Sequence, residues 1–280
     1  MAFAICLIVA AVQAEPVKIV AAESVYGDIA RRIGGANVSV SSILVRADQD
    51  PHEFEASAAT ARTIADAKLV IYNGAGYDPW VPKLLSATTS RSRDVIEVAS
   101  LIGKKPGDNP HLWYDITAVS ALAATLGAKL AQIDPAHADD YRRGVAAFEA
   151  AMQPLRERIA GFRARYAGVP VTATEPVFEY MANALGLAMR NARFQLAVMN
   201  GTEPSATTIA AFEKDLRGHA VKALLYNTQT GQTLARRMLT IATESGIPVV
   251  KITESQPPNK AYVEWMLAQL EALDLALRGR

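Results

Sequence analysis

The sequence predicts an α/β protein of two Rossmann-like (β/α) lobes, and three features indicate this fold class. Short runs rich in β-branched residues alternate with stretches of helical periodicity, which is typical of βαβ units. The alternation occurs twice, in residues 15–134 and in residues 169–280. Between them, residues 135–168 form a charged, Ala- and Leu-rich segment of helical character. We therefore expect two parallel sheets joined by a long rigid helix, with a ligand cleft between the lobes.

The predicted strands follow the β-branched runs in both lobes. Those of the first lobe are residues 17–22, 38–44, 68–72 and 94–98. Those of the second lobe are residues 169–174, 188–191, 221–226 and 248–252. Because helical stretches separate consecutive strands, both sheets are expected to be parallel.

The predicted helices lie between these strands, and two of them begin at a serine that is typical of an N-cap, Ser57 and Ser205. Their ranges are 25–33, 57–67, 176–185, 205–216, 231–245 and 261–277. The linking segment predicts one helix over residues 135–166, kinked near Pro154. The alternative is two ordinary helices separated at that proline.

The composition of the 280-residue chain excludes several classes of protein. A chain that is 50% hydrophobic and 20% charged is not intrinsically disordered. Its net charge of +1 provides no electrostatic basis for a nucleic-acid partner. The single cysteine, Cys6, excludes an intramolecular disulfide and a Cys-based zinc site. Any bound metal must therefore be held by carboxylates and by some of the four histidines.

Residues 1–14 resemble a secretory signal peptide. They are apolar apart from Gln13 and end with Val12 and Ala14 at the −3 and −1 positions of a cleavage site. The stretch is shorter than the roughly 20 apolar residues that span a bilayer. Cys6 has no lipobox context, so we expect a soluble periplasmic protein without a lipid anchor. The alternative is that these residues form a buried N-terminal strand.

Two of the four histidines occupy matching loops of the first lobe. His52 lies in the sequence DPHEFE after the second predicted strand, and His111 lies in NPHLWYD after the fourth. Each follows a proline that stiffens a loop at the carboxyl end of the sheet, where ligands bind in this architecture. A surface or helix-capping role explains one such histidine better than it explains a matched pair. His137 and His219 are expected to lie at the surface.

Two acidic residues follow predicted strands of the second lobe, Glu175 and Glu254. Either one alone could interact with the dipole of a helix N-terminus. Taken with His52 and His111, however, they supply two nitrogen ligands and two carboxylates, which would neutralise a divalent cation. The sequence therefore predicts a metal site made by these four residues across the cleft.

The four motifs DPHEFE, NPHLWYD, TEPVFEYM and TES occur in the order and spacing of a known family. The chain resembles the cluster A-I (cluster 9) metal-binding proteins of ABC importers, the zinc/manganese solute-binding proteins, over nearly all of its length after residue 14. The resemblance implies two lobes joined by a rigid helix, one divalent ion as cargo and an ABC permease as partner. It also implies a monomer that is not an enzyme, with His52, His111, Glu175 and Glu254 as the ligands.

The resemblance leaves the identity of the metal open. Glu175 stands where manganese-type members have Glu and zinc-type members usually have His, while Glu254 stands where most members have Asp. Residues 101–109 replace the long His-rich loop of many zinc members. These features favour Mn²⁺ or Fe²⁺, whereas Zn²⁺ binds the same ligand types more tightly in the Irving–Williams order. We expect Mn²⁺ or Zn²⁺, with Mn²⁺ slightly favoured.

Two other functions are compatible with a metal site. A secreted metal-dependent hydrolase needs an open coordination position and a nearby base, and the chain has no HExxH motif. A binder of a chelated metal, such as a metal–siderophore, needs a pocket lined by aromatic or arginine side chains.

The residues expected to contact the histidines are Glu55, Trp113, Tyr114 and Asp115. The tryptophans, Trp80, Trp113 and Trp265, are expected to pack in the core.

Overall fold

The structure is a computed structural model that describes residues 15–46, 54–88, 90 and 92–279. The predicted signal peptide, with Cys6, and the predicted ligand His52 lie outside the described residues. The other three predicted ligands are described.

Two parallel four-stranded sheets form the centres of the two lobes, as the sequence predicts. The first sheet has the order β2-β1-β3-β4, with β1 Val17–Glu23, β2 Val38–Leu44, β3 Leu69–Tyr72 and β4 Asp94–Glu97. The second repeats this order as β6-β5-β7-β8, with β5 Pro170–Ala173, β6 Ala188–Arg190, β7 Leu224–Asn227 and β8 Val249–Ile252. All eight predicted strands are confirmed, with shifts of a few residues at their ends.

The strand order places a switch point in each sheet. In the first sheet β1 pairs with both β2 and β3, and Ala21 is in register with Ile71. In the second sheet β5 pairs with both β6 and β7, and Ala173 is in register with Leu225. Loops that leave the two central strands diverge to opposite sides and open a crevice at the carboxyl edge. Glu175 and Asn227 stand at that edge of the second sheet.

Five helices surround the first sheet: α1 Ser24–Gly34, α2 Ala58–Ala65, α3 Trp80–Ala87, α4 Val98–Leu101 and α5 Ile116–Ile133. The predicted cap of α2 is confirmed, since the Ser57 hydroxyl accepts a hydrogen bond from the Thr60 amide at 3.1 Å. The sequence did not predict α5, because its Ala- and Leu-rich pattern has little helical periodicity. By length and composition alone α5 could cross a membrane. Here its buried face packs against α1 and α6.

The linking segment is helical over nearly all of the predicted range, and its one irregularity lies beside Pro154, where a kink was predicted. It consists of a 3₁₀ turn, Pro135–His137, and two helices, α6 Ala138–Ala151 and α7 Gln153–Tyr166, interrupted at Met152. The interruption has a local cause, because Pro154 has no amide hydrogen to donate to the carbonyl four residues earlier. The helix α6 packs on α1 and α5, whereas α7 packs on the last helix of the second lobe. Each half of the link is thus attached to one lobe.

The helices of the second lobe are α8 Glu179–Ala184, α9 Ala192–Met199, α10 Ala206–Arg217, α11 Thr233–Glu244 and α12 Tyr262–Leu277. A 3₁₀ turn, Pro176–Phe178, precedes α8, so the predicted helix over 176–185 begins with a tighter turn. The predicted cap Ser205 is confirmed, since its hydroxyl accepts a hydrogen bond from the Thr208 amide at 3.2 Å. The short helix α9 was not predicted.

The two lobes share a buried interface of aromatic residues. Trp113, Tyr114 and Phe178 are almost completely buried, and the Tyr114 ring packs edge-on against Phe178 of the other lobe at 5.1 Å. The Tyr262 hydroxyl donates a hydrogen bond to the Trp113 carbonyl at 2.8 Å, which also crosses between the lobes. The three tryptophans, Trp80, Trp113 and Trp265, are buried as predicted. This interface ties the lobes closely together next to the crevice.

Candidate metal centre

His111 directly follows Pro110 and precedes the 3₁₀ turn Leu112–Tyr114, and its side chain is completely buried. Its Nδ1 atom lies 2.7 Å from the side-chain oxygen of Asn109. The Trp113 ring packs edge-on against the imidazole, with ring centroids 5.5 Å apart. This leaves Nε2 directed at the second lobe, where it lies 3.5 Å from Oε2 of Glu254.

Glu254 is held from both lobes. It follows β8, and its backbone amide donates to the side-chain oxygen of Gln229 at 2.7 Å. The Tyr77 hydroxyl of the first lobe donates to Oε2 of Glu254 at 3.1 Å. The Asn227 amide donates to Oε1 at 2.7 Å. The carboxylate therefore has a defined position beside His111.

Glu175 reaches the same region from the end of β5. The Asn227 side-chain nitrogen donates to Oε2 of Glu175 at 2.7 Å, the same distance at which it donates to Glu254. Asn227 is the last residue of β7, the neighbour of β5 at the switch point. One amide group thus uses both of its hydrogens to hold two carboxylates in place.

The electrostatics of this cluster favour a cation. Burial raises the pKa of Glu175, and the nearby Glu254 carboxylate raises it further. Hydrogen bonds from Thr230 and Asn227 act in the opposite direction and lower that pKa in part. Two buried carboxylates repel each other, and a divalent ion near both would remove the repulsion. Oxygen and imidazole donors are those that first-row divalent metals accept.

Of the predicted ligands, His111 lies 3.5 Å from Glu254, and Glu254 is joined to Glu175 through the side-chain amide of Asn227. The fourth, His52, lies outside the described residues. Within residues 15–46, 54–88, 90 and 92–279, no three His, Cys, Asp or Glu side chains stand close enough to form a closed metal site. The Asn227 amide lies between the two carboxylates and donates a hydrogen bond to each. The four-ligand set stays a prediction.

The predicted neighbours of the histidines have different roles. Trp113 packs on His111, and the Tyr114 hydroxyl donates to the Thr253 carbonyl, next to Glu254, at 2.7 Å. In contrast, Asp115 caps α5 by accepting from the Thr117 amide at 2.9 Å, and Glu55 is exposed.

The remaining two histidines lie outside the cluster. His219 is exposed, in the turn after α10. His137 is half-buried, and its Nδ1 atom lies 2.7 Å from Oδ2 of Asp134.

Sequence reasoning missed the residues that organise the site, Asn109, Asn227, Tyr77 and Gln229. Two of them had a signal in the sequence, which was their place along the chain. Asn227 directly follows a predicted strand, and Asn109 is the first residue of the NPH motif. Asparagine and glutamine are common in turns for local reasons. Only their contacts in three dimensions distinguish them from ordinary turn residues.

The first lobe contains a second pair of acids near its own switch point. Asp78 accepts hydrogen bonds from the backbone amides of Asn73 at 2.7 Å and Gly74 at 2.9 Å. Glu23, at the end of β1, is only 5% exposed. Burial, and then the adjacent Asp78 carboxyl, raise the pKa of Glu23 well above its ordinary value. Because Asp78 holds the turn at 73–78, this pair supports the loop that carries Tyr77.

A cavity of about 610 Å³ lies beside the loop that follows Glu254. It is lined on one side by α1, including Ser24 and Asp28, and on the other by residues 256–261. The loop is attached at its end, where the Tyr262 amide donates to Asp28 at 3.0 Å. The three described ligand candidates, His111, Glu175 and Glu254, are not among the residues that line this space.

Two parallel sheets whose carboxyl edges enclose a polar site define a two-lobed α/β ligand-binding protein. The chain belongs to the family described as zinc-uptake complex component A, periplasmic, which matches residues 19–276. This confirms the resemblance that the sequence motifs indicate.

Individual relatives agree with the family assignment. The manganese-binding lipoprotein MntA of Halalkalibacterium halodurans is 26% identical over 245 residues, which cover 84% of this chain and 78% of the relative. The iron ABC transporter substrate-binding lipoprotein MtsA of Streptococcus pyogenes is 23% identical, with 95% and 90% covered. The structure of the periplasmic zinc-binding protein TroA from Treponema pallidum superposes with a TM-score of 0.78 at 15% identity, covering 94% of this chain and 99% of TroA. The superposition with TroA, at this low sequence identity, shows a shared fold.

Proposed function

We propose that the chain is an extracytoplasmic solute-binding protein that captures a divalent transition metal and delivers it to an ABC permease for import. One observation carries the proposal. In a chain that belongs to this family, a buried imidazole of the first lobe faces a region of the second lobe that holds two buried carboxylates. The named functions of MntA and MtsA support it.

We propose His52, His111, Glu175 and Glu254 as the ligands. Two carboxylates neutralise the charge of a divalent ion, and the buried position of Glu175 and Glu254 strengthens their attraction for it. His111 supports this set because its Nε2 atom is directed at Glu254. The loop of His52 resembles that of His111 in sequence, which is the basis for including it.

The donor set is compatible with several ions. Carboxylate-rich sites suit Mn²⁺ and Fe²⁺, whereas the Irving–Williams order favours Zn²⁺ at the same ligands. The relatives are named for manganese, iron and zinc. We propose Mn²⁺ or Zn²⁺ as the cargo, with Mn²⁺ slightly favoured because Glu175 supplies an oxygen.

We propose that release occurs through rearrangement of the loop around Glu254 rather than through a wide separation of the lobes. The buried contact between Tyr114 and Phe178 ties the lobes together. The cavity of about 610 Å³ beside residues 256–261 provides space for this loop to move.

In this proposal residues 15–134 and 169–280 are the lobes, and residues 135–168 are the link.

We further propose that the chain is exported by residues 1–14 and acts as a monomer that binds no nucleic acid. It is proposed not to be an enzyme. Four protein ligands leave tetrahedral Zn²⁺ no open position for a reacting water, and although a Mn²⁺ site of higher coordination can retain a water, the chain has no HExxH motif. Hydrolysis of ester or phosphate substrates by the metal-loaded protein would contradict this. A visible absorbance of the purified protein would indicate a chelated metal instead.

The ligand set is tested by measuring Mn²⁺ and Zn²⁺ affinity in competition with a chromogenic chelator. The variants are His52→Ala, His111→Ala, Glu175→Gln and Glu254→Gln. Each is expected to weaken binding by at least about 100-fold, because each removes a donor from the metal itself, whereas loss of a residue that only supports a ligand costs about 10–100-fold. His137→Ala is the matched control and is expected to retain wild-type affinity. Unchanged affinity in both ligand-histidine variants would refute the shared site.

The identity of the cargo needs a separate measurement. Metal analysis of the protein purified from its native periplasm reports the ion that is bound there. We expect one Mn²⁺ or Zn²⁺ per chain. A preparation that binds neither ion at micromolar concentration would contradict the proposed function.

A further inference from the structure

Asn109 contacts both lobes through opposite ends of its side-chain amide. The amide oxygen accepts a hydrogen bond from the His111 backbone at 3.1 Å and lies 2.7 Å from Nδ1 of the His111 ring. The amide nitrogen donates to the Pro176 carbonyl at 2.7 Å and to Oε2 of Glu179 at 2.8 Å. An asparagine amide has two donor hydrogens and two acceptor positions, so all four are used here.

These contacts determine both the orientation of the amide and the tautomer of His111. The oxygen end must face the first lobe, because the His111 backbone amide is a donor. The nitrogen end must face the second lobe, because Pro176 and Glu179 present oxygen atoms. In the neutral imidazole Nδ1 is therefore the protonated nitrogen, and Nε2 keeps the lone pair that a metal requires.

The main chain of Asn109 is attached to the same segment of the second lobe. The Tyr180 hydroxyl donates to the Asn109 carbonyl at 2.7 Å. The Lys104 ammonium lies 5.2 Å from the centre of the Tyr180 ring, a cation–π distance. Pro176, Glu179 and Tyr180 all belong to the few residues that directly follow Glu175.

We propose that Asn109 is a positioning residue that couples the His111 imidazole to the Glu175 segment and so holds one metal ligand from each lobe in a fixed mutual position. This inference rests on the proposed function, because it assigns these two residues to one metal. Ligands that are already in place lose less conformational freedom when the ion binds, which raises affinity. Glu254 lies on a different loop and is not held by Asn109.

Two substitutions separate orientation of the ring from coupling of the lobes. Asn109→Ala removes every side-chain contact. Asn109→Asp keeps an acceptor for His111 but loses both donors and places a carboxylate against Glu179. If coupling matters, both variants bind Mn²⁺ and Zn²⁺ about 10–100-fold more weakly than wild type, the usual effect of losing a residue that supports a ligand.

A rescue variant and a control complete the design. In the double variant Asn109→Asp with Glu179→Gln, the glutamine amide can donate to the new carboxylate, so part of the lost affinity should return. Absence of any recovery would contradict the link through Glu179. Asn183→Ala alters an exposed asparagine of the same helix, α8, and should bind both ions like wild type.

The decisive readouts are metal affinity by chelator competition and the ¹⁵N chemical shifts of the His111 ring. We expect Asn109→Asp to keep the Nδ1-protonated tautomer while it loses affinity, a combination that general destabilisation does not produce. Wild-type affinity in Asn109→Asp would overturn the coupling. If the wild-type protein binds neither ion, the proposed function fails instead, so the two failures are distinguishable.

Discussion

Glu23 provides a sharp test of the buried acid pair in the first lobe. Burial, and then the neighbouring Asp78, raise the pKa of Glu23 well above its ordinary value. The folded chain therefore keeps the Glu23 proton at pH values where the unfolded chain has lost it. Replacing Glu23 by Gln keeps an uncharged donor next to Asp78 and removes the titration.

The sign and size of the effect follow from proton linkage. The folded state binds the extra proton, so wild-type stability falls as the pH rises from the ordinary Glu pKa of about 4.3 towards the raised value in the folded state. Over that range the loss is about 1.4 kcal/mol for each pH unit. Glu23→Gln should therefore gain stability relative to wild type as the pH rises above about 4.3, and the gain should level off once the pH exceeds the raised pKa of Glu23.

The assay is denaturant unfolding of both metal-free proteins in the presence of a chelator, at several pH values. Groups distant from Glu23 titrate alike in both proteins and cancel, so the difference reports the Glu23–Asp78 pair, in which burial raises the pKa of Asp78 to about 6. Glu55→Gln is the matched control, because Glu55 is exposed, and its difference from wild type should be small at every pH. A Glu23→Gln difference that stays flat from pH 5 to 6.5 would refute a protonated Glu23.

Three further variants test the linking helices and the second lobe by denaturant unfolding. Gly144→Ala in α6 should destabilise the fold by roughly 1–3 kcal/mol, because the added Cβ would lie 2.1 Å from a backbone carbonyl oxygen of α1. Gly161→Ala in α7 meets no atom within 4 Å and should stabilise by about 0.5–1 kcal/mol. Burial raises the pKa of Asp274, but hydrogen bonds from Tyr166 and Arg278 lower it overall. Asp274→Asn should therefore cost roughly 3 kcal/mol at neutral pH, a cost that disappears as the pH falls through the lowered pKa. Equal stability of the two glycine variants, or a pH-independent cost for Asp274→Asn, would contradict these expectations.

Much of the fold was predictable because its signals are local. Most of the eight strands are short apolar runs rich in β-branched residues between helical stretches, and all eight were predicted, including β6 and β7, which contain no β-branched residue. The helix α5 was missed because an Ala- and Leu-rich stretch that is apolar on several sides lacks a clear period. The interruption at Met152 depends on how the chain accommodates Pro154, and the sequence left a kink and a break as alternatives.

Some residues of the candidate site could also be predicted from the sequence, and others could not. His111, Glu175 and Glu254 were predicted because each follows a strand or a stiff loop, which is visible along the chain. Asn109 and Asn227 were not predicted, since a turn asparagine has the same local sequence whether or not it contacts a ligand. Their roles depend on atoms contributed by distant residues.

The sequence by itself determined the eight strands of the two sheets, the family and the candidate ligand residues. Strand pattern and motif spacing are properties of neighbouring residues, so they are readable without coordinates. The tertiary structure alone decided that Asn227 holds Glu175 and Glu254 together and that Asn109 links His111 to the other lobe. Hydrogen bonds require atoms within about 3 Å, and only the packing of the two lobes brings these distant segments that close.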